Sequence, residues 1–375
     1  MSNRVMSRRL ILFVGTEKGL FRLDGDDYRD QWSLSGPYIA GYSILHICWD
    51  PRHPQCGYAA STHKIWGSHI YTTEDAGMSW NSLKADPGLI SCDPTREPRA
   101  IWCVTPGHAS EPETLYAGID PPGLFISRDR GRSWHGVDGL NRHVSRPSWE
   151  PSRGGFAVHS IYIDPTQSSR LYAAISAGGV FRSEDSGVSW KPINQNVRAE
   201  NHPQRYPITG HNVHRLIMHP TMTNRLYRQC YNGTYRSDDH GESWTEITEG
   251  LPSDFGYALA VDPKDPDTVF VIPESSSHLR IAADAKLRVY RSEDAGRHWQ
   301  ALTNGLPQKH VYVTVLREAM VADPLTPCGV YFGTSSGHVF ASSDRGTQWK
   351  AIAGFLPRIL SLAVVILPNL SRAST

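Results

Sequence analysis

The segment RHVSRPSWEPSRGG, residues 142–155, concentrates side chains that could bind an anionic or ring-shaped ligand. A guanidinium group binds a carboxylate or phosphate through two parallel hydrogen bonds, and an indole offers a large flat face for stacking. The side chains of this segment that are predicted to bind a ligand are Arg142, His143, Arg146 and Trp149. Arg99, at the end of the long polar stretch 81–99, is predicted to join them.

Carboxylates are the second group of candidates. Hydrolysis of a glycosidic bond needs two carboxyl groups about 5 to 10 Å apart. The long loops of the chain carry six candidates, which are Asp93, Glu97, Asp120, Glu150, Glu200 and Glu274. Glu150 is the predicted catalytic residue, because Trp149, Arg146 and Arg153 lie close to it in the sequence. The sequence does not determine which two carboxylates converge.

Three histidines complete the predicted ligand-binding set. His159 and His214 occupy the same place in two apolar stretches, each six residues before a proline. Such a pair could bind a metal or move a proton, but two hydrogen-bonded histidines packed between neighbouring sheets are the favoured interpretation. His211 and His214 are three residues apart, so in a strand their side chains point to opposite faces. No metal and no cofactor are therefore predicted.

A ten-residue motif repeats along the chain and separates these segments from one another. Six copies read aromatic-x-Ser/Thr-x-Asp-x-Gly-x-x-Trp and recur every 50 to 56 residues. They are YTTEDAGMSW (71–80), FISRDRGRSW (125–134), FRSEDSGVSW (181–190), YRSDDHGESW (235–244), YRSEDAGRHW (290–299) and FASSDRGTQW (340–349). The pattern predicts a β-hairpin in which Asp accepts hydrogen bonds from the turn and Gly adopts a positive φ. The predicted structural aspartates are Asp75, Asp129, Asp185, Asp239, Asp294 and Asp344.

The fold follows from the repeat. An apolar strand ending at a proline and a strand of small residues precede each hairpin, so the unit has four strands, A to D. Units of this kind, about 50 residues long, are typical of β-propeller blades. The chain is predicted to be all-β, a single seven-bladed propeller domain over residues 1–375. Segment 356–368 supplies the strand that 10–35 lacks, and it closes the ring.

These strings are the Asp-box, or BNR, repeat, and the chain resembles the sialidase-superfamily propellers over nearly its full length. The resemblance implies that the Asp boxes are structural turns on the face opposite the ligand site. The ligand face is then formed by the D–A and B–C loops, which include the segments above. The phrases GHNVHRL and VLREAM resemble bacterial seven-bladed proteins often described as glycosyl hydrolases or exo-sialidases.

Two departures from the resembled enzymes shape the predicted function. Sialidases carry an aromatic-Arg-Ile-Pro motif near the N-terminus, and RRLILFVG has no Ile-Pro. Xyloglucan hydrolases place their cleft between two propellers, and this sequence has one. The predicted function is therefore glycan or anionic-ligand binding without efficient turnover. The alternatives are a glycoside hydrolase with a carboxylate pair on the ligand face and a scaffold for protein assembly.

The charge composition of the chain limits the classes of partner that are expected. The chain has 38 basic and 37 acidic residues, a balance that favours neither nucleic acid nor a membrane. The expected partner is a glycan, an anionic small molecule or a protein segment. The apolar run 10–14 is too short for a signal peptide, and 359–367 is too short to span a bilayer, so the protein is expected to be cytoplasmic.

Overall fold

The computed structural model describes residues 8–26, 28–87, 99–150, 155–199 and 202–368. Three of the candidate carboxylates, Asp93, Glu97 and Glu200, lie outside these ranges. Within them, 28 strands form seven antiparallel sheets of four strands each. The sheets stand in a ring, so the prediction of a seven-bladed β-propeller is confirmed.

The first three blades follow one another along the chain. Blade 1 consists of β4 (Ser43–Trp49), β5 (Gly57–His63), β6 (Gly67–Thr73) and β7 (Asn81–Ser82). Blade 2 consists of β8 (Ala100–Pro106), β9 (Leu115–Asp120), β10 (Gly123–Ser127) and β11 (His135–Gly136). Blade 3 consists of β12 (Val158–Asp164), β13 (Gln167–Ile175), β14 (Gly179–Ser183) and β15 (Lys191–Pro192).

The next three blades repeat this order. Blade 4 consists of β16 (Val213–Met218), β17 (Leu226–Cys230), β18 (Thr234–Ser237) and β19 (Thr245–Glu246). Blade 5 consists of β20 (Gly256–Asp262), β21 (Asp265–Pro273), β22 (Val289–Ser292) and β23 (Gln300–Leu302). Blade 6 consists of β24 (Met320–Ala322), β25 (Val330–Gly333), β26 (Val339–Ser342) and β27 (Lys350–Ala353).

Blade 7 joins the two ends of the chain. Its strands are β28 (Ile359–Pro368), β1 (Arg8–Thr16), β2 (Gly19–Gly25) and β3 (Trp32–Tyr38), in that order across the sheet. β28 runs antiparallel to β1, with Leu362 opposite Val14 and Val364 opposite Leu12. The predicted closure of the ring by the C-terminal strand is confirmed.

The first strand of each blade lines the centre of the ring. β4, β8, β12, β16, β20, β24 and β28 contact one another in successive pairs around the circle. Because the strands of a blade alternate in direction, the A–B and C–D connections lie at one end of this channel and the B–C and D–A connections at the other. We call the first end the Asp-box face and the second the loop face.

Short helices occur in the loop-face connections. The α-helix α1 (Asp138–Asn141) and a 3₁₀ turn (Arg146–Ser148) follow blade 2, and a second 3₁₀ turn (Ala283–Ala285) lies in the B–C insertion of blade 5. The segment that follows blade 2 is therefore partly ordered rather than an extended loop. No helix in the described ranges has the length and apolar character needed to cross a bilayer.

The Asp boxes form closed hydrogen-bond networks. In the third copy, Asp185 Oδ1 accepts from the Ser183 hydroxyl at 2.8 Å and from the Ser189 N–H at 2.8 Å, while Oδ2 accepts from the Ser189 hydroxyl at 2.6 Å. These bonds, led by that from the Ser189 hydroxyl, lower the pKa of Asp185. Gly187, at φ +90°, donates to Ser183 at 2.8 Å, a conformation that strongly favours glycine.

Neighbouring blades are joined through these turns. The Trp244 indole of blade 4 donates to the Ile193 carbonyl of blade 3 at 2.8 Å, and Trp299 of blade 5 repeats the contact with Ile247 of blade 4. In the opposite direction, strand-C arginines donate to the backbone carbonyl at the middle of the next Asp box. Three examples of such donor and acceptor pairs are Arg22 with Ala76, Arg182 with His240 and Arg291 with Arg345. The sequence pattern did not reveal these arginine contacts.

Substitution of an Asp-box aspartate should affect stability and not ligand binding. We expect Asp185→Ala to lower the free energy of unfolding by about 1–2 kcal/mol, because donors that cap the turn lose their acceptor. Ser189→Ala, which removes one hydroxyl donor, should have a smaller effect. Chemical denaturation measures both. A loss of ligand binding by Asp185→Ala with unchanged stability would contradict the structural role.

Candidate functional site

Two of the predicted residues, Glu150 and His211, meet at the loop face in a pocket of about 390 Å³, which we call the side pocket. Glu150, His211, Arg198 and His202 contribute to its lining. Arg198 is already held by Glu246 at 2.9 Å and by a second carboxylate of blade 4. Glu150 is the one acidic residue in the lining that the structure describes. Among the described residues, the side pocket therefore does not supply the second carboxyl group that glycoside hydrolysis needs.

Trp149 and its neighbours do not form the exposed stacking surface that was predicted. The Trp149 indole is 5% exposed, packs 5.3 Å from the Phe181 ring and donates to Ser145 Oγ at 3.0 Å. The Arg146 guanidinium lies 5.6 Å from the same indole. His143 also bonds to Ser145 Oγ, at 2.8 Å. The 3₁₀ turn directs the indole into the interior, so its faces are covered by protein.

The two remaining arginines of the predicted set stay at the surface. Arg142 faces Asp138 at 3.6 Å along α1, and Arg99 faces Asp120 at 3.6 Å. Both guanidinium groups are well exposed, and neither lines the side pocket or the two channel pockets described below. None of the three pockets described for the placed residues thus brings the predicted ligand-binding set together.

His159 and His214 are buried between blades. This agrees with the interpretation drawn from their matching places in two inner strands. His159 Nε2 bonds to the Val213 carbonyl at 2.9 Å, and His214 Nδ1 bonds to the Gly256 carbonyl at 2.7 Å. Each histidine thus bonds to the backbone of the next inner strand. Burial lowers the pKa of both, to about 3 for His214, so both rings are neutral at physiological pH. Among the described residues no group of three or more His, Cys, Asp or Glu has the geometry of a metal site.

The central channel contains a pocket that opens toward the loop face, of about 330 Å³, which we call the upper pocket. Its lining includes two aromatic rings, three arginines and one glutamate. These residues are Trp102, Tyr257, Arg280, Arg317, Arg358 and Glu318. The Arg317 guanidinium lies 5.3 Å from the Trp102 ring and that of Arg280 lies 5.9 Å from Tyr257. This combination of flat rings and fork-shaped donors suits a hydroxyl-rich or anionic ring.

Glu318 lies between two pockets of the channel. It lines the upper pocket and also a second pocket of about 340 Å³ toward the Asp-box face, which we call the lower pocket. Its carboxylate forms a close ion pair with Arg215 and lies 3.9 Å from His46 Nε2. Burial, the largest single effect, favours the protonated acid, but the charges of Arg215, His46 and Arg317 and the hydrogen bond from Arg215 together outweigh it, and the pKa of Glu318 is lowered. Glu318 is therefore ionised at neutral pH.

Glu274 lies behind the wall of the upper pocket, in contact with Thr314. Its side chain is 1% exposed, and its Oε1 accepts a close hydrogen bond from the hydroxyl of Thr314, which lines the pocket. Burial raises the pKa of Glu274 to about 8, and the nearby Arg280 offsets only part of this effect. Glu274 is therefore mostly protonated at pH 7. Two carboxyl groups with pKa values moved in opposite directions can serve as an acid and a base.

Glu274 was among the candidates predicted from the sequence, whereas Glu318, Arg317, Arg215 and His46 were not. A signal was present in the inner strands. ILHICWDP carries His46 and HRLIMHP carries Arg215 within otherwise apolar runs. A charged or titratable residue in such a strand is costly unless it lies in a polar channel. The segment VLREAM likewise carries Arg317 and Glu318 directly before an inner strand.

Comparison with known proteins gives partial matches. The family described as Sortilin-Vps10, sortilin, neurotensin receptor 3, matches residues 122–281. An oligoxyloglucan-reducing end-specific xyloglucanase of Emericella nidulans is 23% identical over 327 residues, which cover 77% of this chain and 38% of the relative. The chain thus spans well under half of this relative's length. The sortilin match supports a BNR-type repeat, and membership of the sialidase superfamily stays a prediction.

Two solved structures share the fold. A GH74 enzyme of Niastella koreensis superposes with a TM-score of 0.63 at 16% identity, covering 93% of this chain and 53% of that one. YCF48 bound to a D1 peptide superposes with a TM-score of 0.54 at 13% identity, covering 89% of this chain and 94% of that one. At these identities the likeness establishes the architecture and nothing further.

The protonation of Glu274 should make stability fall with rising pH. Between its ordinary pKa of 4.5 and about 8 the folded protein holds a proton that the unfolded chain releases, so folding is disfavoured as pH rises. In Glu274→Gln this contribution to the pH dependence of the free energy of unfolding should be absent. The slope that is removed is up to about 1.4 kcal/mol per pH unit. Denaturation at pH 5 and pH 8 measures the change, with the exposed Glu150→Gln as control. An unchanged slope in Glu274→Gln would contradict the raised pKa.

Proposed function

We propose that this chain hydrolyses a glycosidic bond of a glycan bound in the upper pocket. One observation carries the proposal: a single pocket joins two aromatic rings, three guanidinium groups, the ionised Glu318 and, behind Thr314, the protonated Glu274. The xyloglucanase relative supports this reading over the alternative of binding without turnover. Because the chain spans well under half of that relative's length, the substrate is part of the proposal.

The two carboxyl groups take different roles. As the glycosidic C–O bond breaks, the leaving oxygen takes the hydroxyl proton of Thr314, and Thr314 Oγ1 takes the acid proton of Glu274, whose O–H donates to Oγ1 when Glu274 is protonated. Water adds to the anomeric carbon, and its released proton passes to the Glu318 carboxylate. Arg215 keeps Glu318 ionised before the reaction. The overall change is one C–O bond broken and one water added.

The pocket walls select the sugar. Trp102 and Tyr257 offer ring faces, and Arg280, Arg317 and Arg358 offer donors to hydroxyl or carboxylate oxygens. With three arginines against one glutamate in the lining, the pocket favours a substrate rich in acceptor groups. A panel of xyloglucan oligosaccharides, uronate-bearing oligosaccharides and aryl glycosides that include a sialoside covers these possibilities.

Carboxamide substitutions test the roles. We expect Glu318→Gln and Glu274→Gln each to lower kcat on the best substrate by at least about 100-fold, because a proton transfer is lost. Glu150→Gln, in the side pocket, is the matched control and should stay within about twofold of the unchanged protein. Reducing-sugar release measures turnover, and calorimetry measures glycan binding by Glu318→Gln.

Three outcomes would contradict the proposal. Loss of turnover in Glu150→Gln with retention in Glu318→Gln would place the chemistry in the side pocket. Turnover retained in both channel variants would exclude the assigned roles. Saturable glycan binding with no turnover of any substrate by the unchanged protein would restore the binding-only function.

The pH dependence of hydrolysis should be bell-shaped. The rate should fall above pH 8, as Glu274 loses its proton, and fall at low pH, as Glu318 gains one. Initial rates between pH 4 and pH 10 measure this, with circular dichroism to exclude unfolding at the extremes. A rate that keeps rising above pH 9 would show that no protonated Glu274 is needed.

A further inference from the structure

The connection between β5 and β6 of blade 1 presents a tryptophan to solvent at the loop face. Trp66 is 63% exposed, at the tip of a hairpin in which His63 pairs with Gly67. It lines neither the side pocket nor the two channel pockets. An indole buries a large apolar area when a ligand covers it. Neither the proposed reaction nor the predicted ligand-binding set includes this side chain.

Hydrogen bonds to the backbone of the hairpin tip hold Trp66 in place. His63 Nδ1 accepts from the Trp66 N–H at 3.2 Å and from the Ile65 N–H at 3.1 Å. His69 Nε2 donates to the Trp66 carbonyl at 2.9 Å, and its Nδ1 lies 2.8 Å from Asp86 Oδ2. The tip is therefore ordered before a ligand arrives, which lowers the entropy cost of binding.

One face of the Trp66 indole is covered and the other is open. His63 stacks on the indole, with ring centroids 4.3 Å apart and 20° between the planes. Tyr42 lies 5.3 Å from the His63 ring and 6.4 Å from the indole, and these distances place it on the same side as His63. No ring of a described residue contacts the opposite face, which accounts for the exposure of the side chain. The result is a flat apolar surface that faces solvent and is supported from behind.

The hairpin stands close to the upper pocket. Tyr42, which supports the indole, is three residues from Leu45, and Leu45 lines the upper pocket. Three residues of an extended chain span at most about 11 Å. The upper pocket opens toward the loop face, on which Trp66 lies. A glycan of several sugar rings can therefore extend from the upper pocket to the open face of the indole.

The shape of this surface favours a sugar ring over a protein segment. One face of a pyranose ring carries mainly C–H groups, which pack against an aromatic ring while the hydroxyl groups at the edge stay in water. Such a contact needs no concave site. A residue that dominates a protein interface, in contrast, is packed in a pocket from which water is excluded. Trp66 is at the tip of a hairpin, beside the exposed Lys64 and Ile65.

We propose that the open face of Trp66 is a further glycan-binding site, which holds one pyranose ring of a chain whose other end enters the upper pocket. The ligand is then an oligosaccharide or polysaccharide rather than a single glycoside. The link to the upper pocket rests on the proposed function, whereas binding at Trp66 needs no hydrolysis. Long chains bind more tightly than short ones, because two sites act on one molecule.

Calorimetry with cellohexaose tests this site, on the Glu318→Gln protein so that the glycan is not consumed. Trp66→Ala in this background should lower the affinity for cellohexaose at least about tenfold, because the stacking contact is lost, and Trp66→Phe, which keeps a ring, should lose less. Ile65→Ala is the matched control, since it removes the neighbouring exposed apolar side chain, and it should stay within about twofold. Cellobiose, too short to reach both sites, should bind at least about tenfold more weakly than cellohexaose. Thermal unfolding checks that each variant folds.

Two results would overturn the inference. One is the absence of cellohexaose binding, or binding that Trp66→Ala leaves unchanged. The other is an equal loss in Trp66→Ala and Ile65→Ala, which would indicate a general apolar contact surface, as for a protein partner, rather than ring stacking. Failure of glycan hydrolysis by the unchanged protein, with Trp66-dependent binding intact, would reject the proposed function and leave this site standing. Hydrolysis of aryl glycosides without any effect of Trp66→Ala on cellohexaose binding would do the reverse.

Discussion

The antiparallel pairing of β28 with β1 is the constraint on which the rest of the molecule depends. It extends from Arg8 opposite Pro368 to Thr16 opposite Ile359, and it closes a ring that would otherwise end in two open sheet edges. The same strand fixes the backbone of Glu318, because the Leu362 N–H donates to the Glu318 carbonyl at 2.8 Å. Ser361 Oγ also donates to the Ile44 carbonyl of blade 1 at 2.9 Å. Closure of the ring therefore forms the channel and holds the backbone of Glu318 in place.

Charge is distributed over the two faces in different ways. At the Asp-box face each aspartate is satisfied within its own turn, as Asp185 is by Ser183 and Ser189, so these carboxylates stabilise the blades and are not available for chemistry. In and beside the channel, the carboxyl groups of Glu318 and Glu274 contact residues that are distant in the sequence. Glu318 contacts Arg215 and His46, and Glu274 contacts Thr314. The channel groups can respond to a ligand, because the pKa of each depends on side chains that face a pocket.

Turns formed by residues close together in the sequence could be predicted from it. The meeting of residues from different blades in one pocket could not. The Asp-box turn is complete within ten residues, so the blade count and the closing strand could be derived from spacing alone. The upper pocket joins residues of different blades, such as Trp102, Tyr257 and Glu318, and no local pattern records that meeting. Trp149 shows the same limit, because its residue type suggested stacking while the 3₁₀ turn beside it buries the ring.

The central claim is that Glu318, between two pockets of a closed channel, faces the bound glycan. A crystal structure of the Glu318→Gln variant soaked with a xyloglucan oligosaccharide tests it most directly. Sugar density is expected in the upper pocket, with a ring against Trp102 or Tyr257 and a glycosidic oxygen within hydrogen-bonding distance of Thr314. Density confined to the side pocket beside Glu150, or to the Asp-box face, would contradict it.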